Sequence, residues 1–113
     1  MKNIYDQWVK CVEQQDVKNV VALYAKEATL HPTLRSGIHS HQGVMTIEGY
    51  FKHFLAAPIK VLTNQYLEYD QLLIGQYTIT RGQDCVQARF TFVFTKEGEV
   101  NKILHHHSSI APV

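Results

Sequence analysis

The residues best suited to chemistry form one run, three histidines followed by two serines at positions 105–109. An imidazole accepts or donates a proton near neutral pH, and it also binds metal ions. A serine hydroxyl both donates and accepts hydrogen bonds, so it can hold a substrate. The run therefore predicts a binding or catalytic site in this part of the chain.

The run falls within a predicted β-strand at about 99–110, and the side chains of a strand point alternately to two faces. On one face we expect Ile103, His105, His107 and Ser109, and on the other Leu104, His106, Ser108 and Ile110. A single site would use one of these alternate sets. The first set contains His107 and Ser109, which form a natural polar pair.

A metal site is one alternative for the histidines. Tetrahedral zinc needs three or four converging ligands, and one face of the strand supplies only two, so His31 or His39 would have to supply the rest. Solvated histidines on an edge strand are a second alternative. We predict no metal or other cofactor, and both alternatives stay open.

The elements that position this run begin with helices. Apolar residues at helical spacing predict three of them in the first half of the chain. The first covers roughly residues 3–14, the second begins at the N-cap Asp16 and includes Tyr24, and the third is capped by Thr46 and ended by Pro58.

The strands are predicted from apolar residues at every second position. They cover 28–31, before a loop at 36–43, and then about 60–70, 72–80, 84–95 and 99–110. The alternation is clearest from Val86 to Phe94. These two residues share one face of the strand with Ala88, Phe90 and Phe92. Helices followed by a long antiparallel sheet indicate an α+β fold, and we expect one domain over residues 1–113.

The composition excludes several classes of partner. Eleven Lys and Arg residues balance ten Asp and Glu residues, so no basic field would attract nucleic acid or a membrane surface. No segment approaches the ~20 apolar residues of a membrane-spanning helix.

Cys11 and Cys85 form no CxxC motif. They are expected to be buried free thiols in a reducing compartment, which favours the cytoplasm.

Residues 16–30 resemble the opening of the NTF2-like/SnoaL-like superfamily. The resemblance implies a cone in which three N-terminal helices pack against a curved, mostly antiparallel sheet around a pocket. Two branches are the most similar. One is the association domain of calcium/calmodulin-dependent protein kinase II, which builds ring oligomers, and the other is the iota-class carbonic anhydrase family, which includes metal-free members.

The resemblance to the iota class rests on four segments, 31–33, 47–55, 88–94 and 105–109. Carried over to this sequence, the pocket of the metal-free members implies Thr33, Tyr50, His107 and Ser109 as catalytic residues. His31 differs from the pattern of that family, in which an aliphatic residue is expected at this position. Residues 110–113 also differ from the pattern of the family.

The function implied by this resemblance is reversible hydration of CO2 to bicarbonate by a lyase, with a small molecule as its partner. Phe51 and Phe54 would form the apolar wall of the pocket, and His105, His31 and Arg89 are further substrate-binding candidates. The hydroxyls of Thr33, Tyr50 and Ser109 would hold bicarbonate. His107 would orient a water molecule or accept its proton.

Two other functions stay open. A non-catalytic binding or oligomerisation module would pair with a second copy, as a homodimer or a larger homo-oligomer, through an exposed sheet face that carries Val61, Leu67 and Tyr69. A SnoaL-like isomerase or hydrolase would need an Asp or His base deep in the cone. Asp70 and Asp84 lie near turns, which argues against them as that base.

We expect Trp8 and Tyr24 to be core residues, and we leave Tyr77 out of the predicted site.

Overall fold

The computed structural model describes residues 1–32 and 41–112 and contains three helices and six strands in those ranges. The helices are α1 (Lys2–Glu13), α2 (Val17–Ala22) and α3 (Val44–Phe54). The strands are β1 (Tyr24–His31), β2 (His41–Gln42), β3 (Ile59–Tyr69), β4 (Leu72–Arg81), β5 (Asp84–Glu97) and β6 (Val100–Ile110). None of these helices is long and apolar enough to cross a bilayer.

The helices lie close to their predicted positions, with two corrections. Asp16 caps α2 as predicted, and its side chain accepts a hydrogen bond from the Asn19 amide at 3.1 Å. That helix ends at Ala22, because Tyr24 begins β1 and pairs with Ile103 across the sheet. The N-cap of α3 is Gly43, at a φ of 83° that favours glycine, and not Thr46.

Thr46 lies inside the first turn of α3, where its hydroxyl donates to the Gly43 carbonyl oxygen at 2.9 Å. The predicted loop at 36–43 falls mostly within residues 33–40, outside the described residues. Residues 41 and 42 of that predicted loop form the short strand β2, which pairs with β1. The first strand is also longer than predicted, since it begins at residue 24 instead of 28.

The six strands form one sheet in the order β2-β1-β6-β5-β4-β3. Every pair is antiparallel except β1 and β6, which run parallel. A bulge between Thr63 and Gln65 brings β3 close over β4 at Gly75. A Cβ atom on Gly75 would lie 2.3 Å from the Gln65 carbonyl oxygen, so only glycine fits this approach. The mostly antiparallel sheet and the three helices agree with the predicted α+β class.

The helices cover one face of the sheet, here called the inner face, and the opposite side is the outer face. Ala88, Phe90, Phe92 and Phe94 of β5 are buried on the inner face, as the alternation predicts. They pack in one core with residues of α1 that include Tyr5 and Trp8. Burial of these side chains supplies the main stabilisation of the fold.

Two predictions about exposure are wrong. Cys85 is exposed and Cys11 is half-buried, so the structure does not contain two buried thiols. Val61 points to the inner face and packs against the core, because it pairs with the buried Ile79. Leu67 and Tyr69 are exposed, as predicted for the outer face.

A bulge in β6 changes the predicted faces of the histidine run. Phe94 pairs with Ile103, but the preceding residue of β5, Val93, pairs with His105. Leu104 is therefore an extra residue, and the alternation shifts by one position there. As a result Ile103, His106 and Ser108 are buried on the inner face, and His105, His107 and Ser109 lie on the outer face.

Candidate functional site

A tight cavity lies on the inner face between the sheet and helices α1 and α3. It is lined by Trp8, Leu30, Pro32, Tyr50, Phe51, Phe54, Tyr77, Ile79, His106 and Ser108. The volume open to the centre of a water molecule is about 10 Å³, which is close to the room that one water needs. The cavity therefore suits a molecule of very few atoms.

Five side chains on the inner face, four of which line this cavity, form a continuous line of hydrogen bonds, here called the inner relay. The Trp8 indole N–H donates to the Tyr24 hydroxyl at 3.0 Å, and that hydroxyl lies 3.0 Å from Nδ1 of His106. On the other side of the ring, Nε2 lies 3.3 Å from the Tyr77 hydroxyl. Tyr77 in turn donates to Oγ of Ser108 at 2.8 Å.

The imidazole at the centre of the inner relay is neutral. Burial, and then the neighbouring His105 and His107, lower the pKa of His106 to about 3. The ring stacks on Phe92 with centroids 4.0 Å apart, and it meets the edge of Trp8. A charged imidazolium in this apolar surrounding would lose its hydration.

Tyr24 and Tyr50 are also uncharged. Burial is the main cause that raises the pKa of Tyr24 and the pKa of Tyr50 above the ordinary tyrosine value. Their hydroxyls therefore keep their protons and can donate them in hydrogen bonds. Since His106 is neutral too, no lining residue among those described carries a formal charge at neutral pH.

The structure brings three of the predicted site residues to this cavity. Tyr50, Phe51 and Phe54 come from α3 and line it, and the ring of Tyr50 stacks on that of Phe54. Thr33 lies outside the described residues. The apolar wall thus has the composition that the sequence analysis expected.

The other predicted site residues lie on the outer face. His107 and Ser109 are exposed, so the prediction that they form the pocket wall is wrong. The bulge at Leu104 is the physical reason. Arg89 is exposed on the same face, directly opposite Ser109 in the pairing of β5 with β6.

His31 and His105 join His107 in a cluster on the outer face, here called the outer histidine cluster. The ring of His31 is 5.4 Å from that of His105 and 5.9 Å from that of His107. Nδ1 of His105 lies 2.6 Å from the Thr29 hydroxyl. Burial, and then the two other imidazoles, lower the pKa of His105. Within residues 1–32 and 41–112, no group of three ligating side chains could hold a metal ion.

Sequence reasoning missed His106, Ser108 and Tyr77 as site residues. No local pattern identifies the first two, because Leu104 is an extra residue only in the pairing of β6 with β5. Trp8 and Tyr24 are core residues as predicted, yet their polar atoms also belong to the inner relay.

Three helices packed on a mostly antiparallel sheet, with a cavity between them, define an NTF2-like α+β cone. A family model described as the calcium/calmodulin dependent protein kinase II association domain matches residues 1–112. The chain therefore belongs to that family, and the predicted superfamily is confirmed. No curated protein matches the sequence.

Solved structures of similar fold support this assignment. A putative calcium/calmodulin dependent protein kinase II association domain from Xanthomonas campestris is 29% identical, with a TM-score of 0.78 over 96% of this chain and 83% of that one. An NTF2-like protein of unknown function from Pseudomonas putida KT2440 is 17% identical, with a TM-score of 0.81 over 98% and 83% of the two chains. A putative polyketide cyclase from Sinorhizobium meliloti is 15% identical, with a TM-score of 0.75 over 94% and 93%. The last two show the fold alone, and none of the three is described as a carbonic anhydrase.

Proposed function

We propose that the inner cavity is the functional site and that it carries out reversible hydration of CO2. The observation that carries this proposal is a cavity of one-water size with no formal charge, lined on one side by phenyl rings and on the other by the inner relay. CO2 is uncharged and a hydrogen-bond acceptor, so it suits the charge and the lining of the cavity. CO2 and the water that attacks it need more room than a single water, so the proposal requires the cavity to widen when they bind. Thr33 remains part of the proposal as a further hydroxyl.

The residues that bind CO2 divide between two walls. Phe51, Phe54 and Ile79 supply the apolar wall, which excludes bulk water and strengthens the hydrogen bonds inside. Tyr50 and Ser108 supply hydroxyls that donate to the oxygen atoms of the substrate, where negative charge develops during the reaction. His107 is not retained as the base, because it lies on the other face of the strand.

The neutral imidazole points to a proton shuttle through a hydroxyl. An oxygen atom of water forms a bond to the carbon atom of CO2 and passes one proton to Oγ of Ser108. Ser108 at the same time gives its own hydroxyl proton to an oxygen atom of CO2. The product is carbonic acid, which leaves the cavity and ionises to bicarbonate in bulk water. Tyr77, which donates to Oγ of Ser108 at 2.8 Å, holds that oxygen in place throughout.

Stopped-flow measurement of CO2 hydration tests the proposal. The full chain is assayed with and without a chelator, next to Ser108→Ala and the matched variant Ser109→Ala on the outer face. We expect Ser108→Ala to lose the activity and Ser109→Ala to keep it. Rates equal to buffer for the wild-type chain would overturn the proposal, and so would loss of activity in Ser109→Ala alone.

A second candidate function is self-assembly, and two observations favour it. The family is named for association, and the β3 edge of the outer face exposes Leu62, Leu67 and Tyr69, with 64%, 58% and 55% of their surface open. Large exposed apolar patches are typical of protein interfaces. We expect a homodimer or larger homo-oligomer in light scattering, dissociated by Leu67→Glu. A monomer at all concentrations would contradict this candidate.

A further inference from the structure

The direction of the hydrogen bonds in the inner relay follows from Trp8. An indole nitrogen can only donate a hydrogen bond, and that of Trp8 donates to the Tyr24 hydroxyl at 3.0 Å. Tyr24 therefore acts as the acceptor at this contact, and its own hydrogen needs another acceptor. Nδ1 of His106, at 3.0 Å, is such an acceptor, and the contact is buried.

Each remaining hydrogen bond is then determined in turn. A neutral imidazole has one protonated nitrogen, so with Nδ1 accepting from Tyr24 the proton lies on Nε2. Nε2 donates to the Tyr77 hydroxyl at 3.3 Å, and Tyr77 donates to Ser108 at 2.8 Å. We infer that Trp8 is a positioning residue that fixes His106 as the Nε2–H tautomer, so that every hydrogen bond of the relay is donated in the direction from Trp8 to Ser108.

The opposite tautomer conflicts with the surroundings of Tyr24. A proton on Nδ1 would point at a hydroxyl that already accepts from Trp8. The hydrogen of Tyr24 would then have no acceptor among the contacts of the described residues, in a side chain that is 3% exposed. A buried donor without a partner is costly, so this tautomer is disfavoured.

The direction of the relay specifies the class of ligand. Nδ1, the basic nitrogen of His106, is occupied by Tyr24 and faces away from Ser108, so the ring does not take a proton from a bound molecule. The relay ends by donating to Oγ of Ser108, so a bound molecule meets the hydroxyl of Ser108 and not a basic nitrogen, which suits a neutral ligand that carries oxygen atoms. This consequence for catalysis rests on the proposed function, whereas the tautomer itself does not.

Long-range nitrogen–proton NMR correlations of the imidazole rings test the inference without any substrate. Wild-type His106 should show a protonated Nε2 and an unprotonated Nδ1. In Trp8→Phe the indole donor is gone, Tyr24 can accept from Nδ1–H, and the single Nε2–H pattern should be lost to a mixture. Tyr5→Phe is the matched control, because it removes a core hydroxyl that bonds Thr63 and not the relay.

A protonated Nδ1 in the wild-type chain overturns the inference, and this measurement does not depend on any variant folding. A pure Nε2–H pattern in a folded Trp8→Phe would overturn the role of Trp8.

The hydration assay separates this inference from the proposed function. If the tautomer is Nε2–H and the chain does not hydrate CO2, the proposed function fails and the inference stands. If the chain is active, we expect Trp8→Phe to lower kcat with little change in KM.

Discussion

The two faces of β6 place the same residue types in opposite environments. On the inner face His106 and Ser108 are buried, uncharged and tied into a relay of five side chains. On the outer face, one position away, His107 and Ser109 are exposed to solvent. The chemistry of a histidine in this strand therefore depends first on its side of the sheet and only second on its neighbours in the sequence.

The faces also differ in what their histidines contact. His106 is bonded through both ring nitrogens and stacked on Phe92. The outer histidine cluster consists mainly of imidazoles that face each other, with one bond between Thr29 and His105. The contacts of His106 hold its ring in one protonation state, whereas the outer histidine cluster leaves its rings in contact with solvent.

The largest expected difference between the faces is in stability. His106→Ala leaves a cavity and removes the partner of Tyr24 and Tyr77, so we expect the free energy of unfolding to fall by about 3 kcal/mol. His107→Ala removes an exposed side chain and should change it by less than about 0.5 kcal/mol. Urea denaturation of both variants measures the two values, and equal losses would contradict the expected difference between the two faces.

The pH dependence of stability gives the next largest difference. The pKa of His106 is about 3 in the folded chain, against an ordinary value of 6.5. Between these values the unfolded state binds the extra proton and the folded state does not, so stability falls as the pH falls. The contribution of His106 is at most about 1.4 kcal/mol per pH unit in this window, and it is absent above the upper value.

Denaturant midpoints measured from pH 7 to pH 3 check this contribution. The stability of the wild type minus that of His106→Gln should rise with pH between about 3 and 6.5. A difference that does not change with pH would contradict the lowered pKa of His106.

The smallest effect concerns the outer histidine cluster. Burial is the main cause of the lowered pKa of His105, and repulsion from His31 adds to it. His31→Gln removes only the second cause, so the pKa of His105 should rise part of the way towards its ordinary value. An NMR titration measures this shift, with His53→Gln on α3 as a control that should leave it unchanged. No rise in His31→Gln would show that the rings do not interact.

Local patterns were sufficient to predict most of the fold. The alternation from Val86 to Phe94 needs only neighbouring residues, and it identified the inner face of β5 correctly. Tyr24 was assigned to α2, because its spacing from Val20 and Val21 also fits a helix. Its place in β1 depends on pairing with Ile103, a contact that no local pattern contains.

The site proposed from the structure differs by one position in β6 from the site that the sequence predicts. Phe51 and Phe54 line the inner cavity. His107 and Ser109 lie on the outer face, because Leu104 is an extra residue only by comparison with β5. Tyr77 was left out for a similar reason, since its distance to His106 depends on the order of the strands.

The position of β6 in the sheet has a consequence for synthesis of the chain. It is the last of the described strands in sequence, yet it lies between β1 and β5. The hydrogen bond between Tyr24 of β1 and His106 of β6 joins residues that are 82 positions apart. Before β6 has been made, β1 and β5 each have an edge that lacks its partner. Such edges can pair with other chains, so a nascent or truncated chain without β6 should need protection from aggregation.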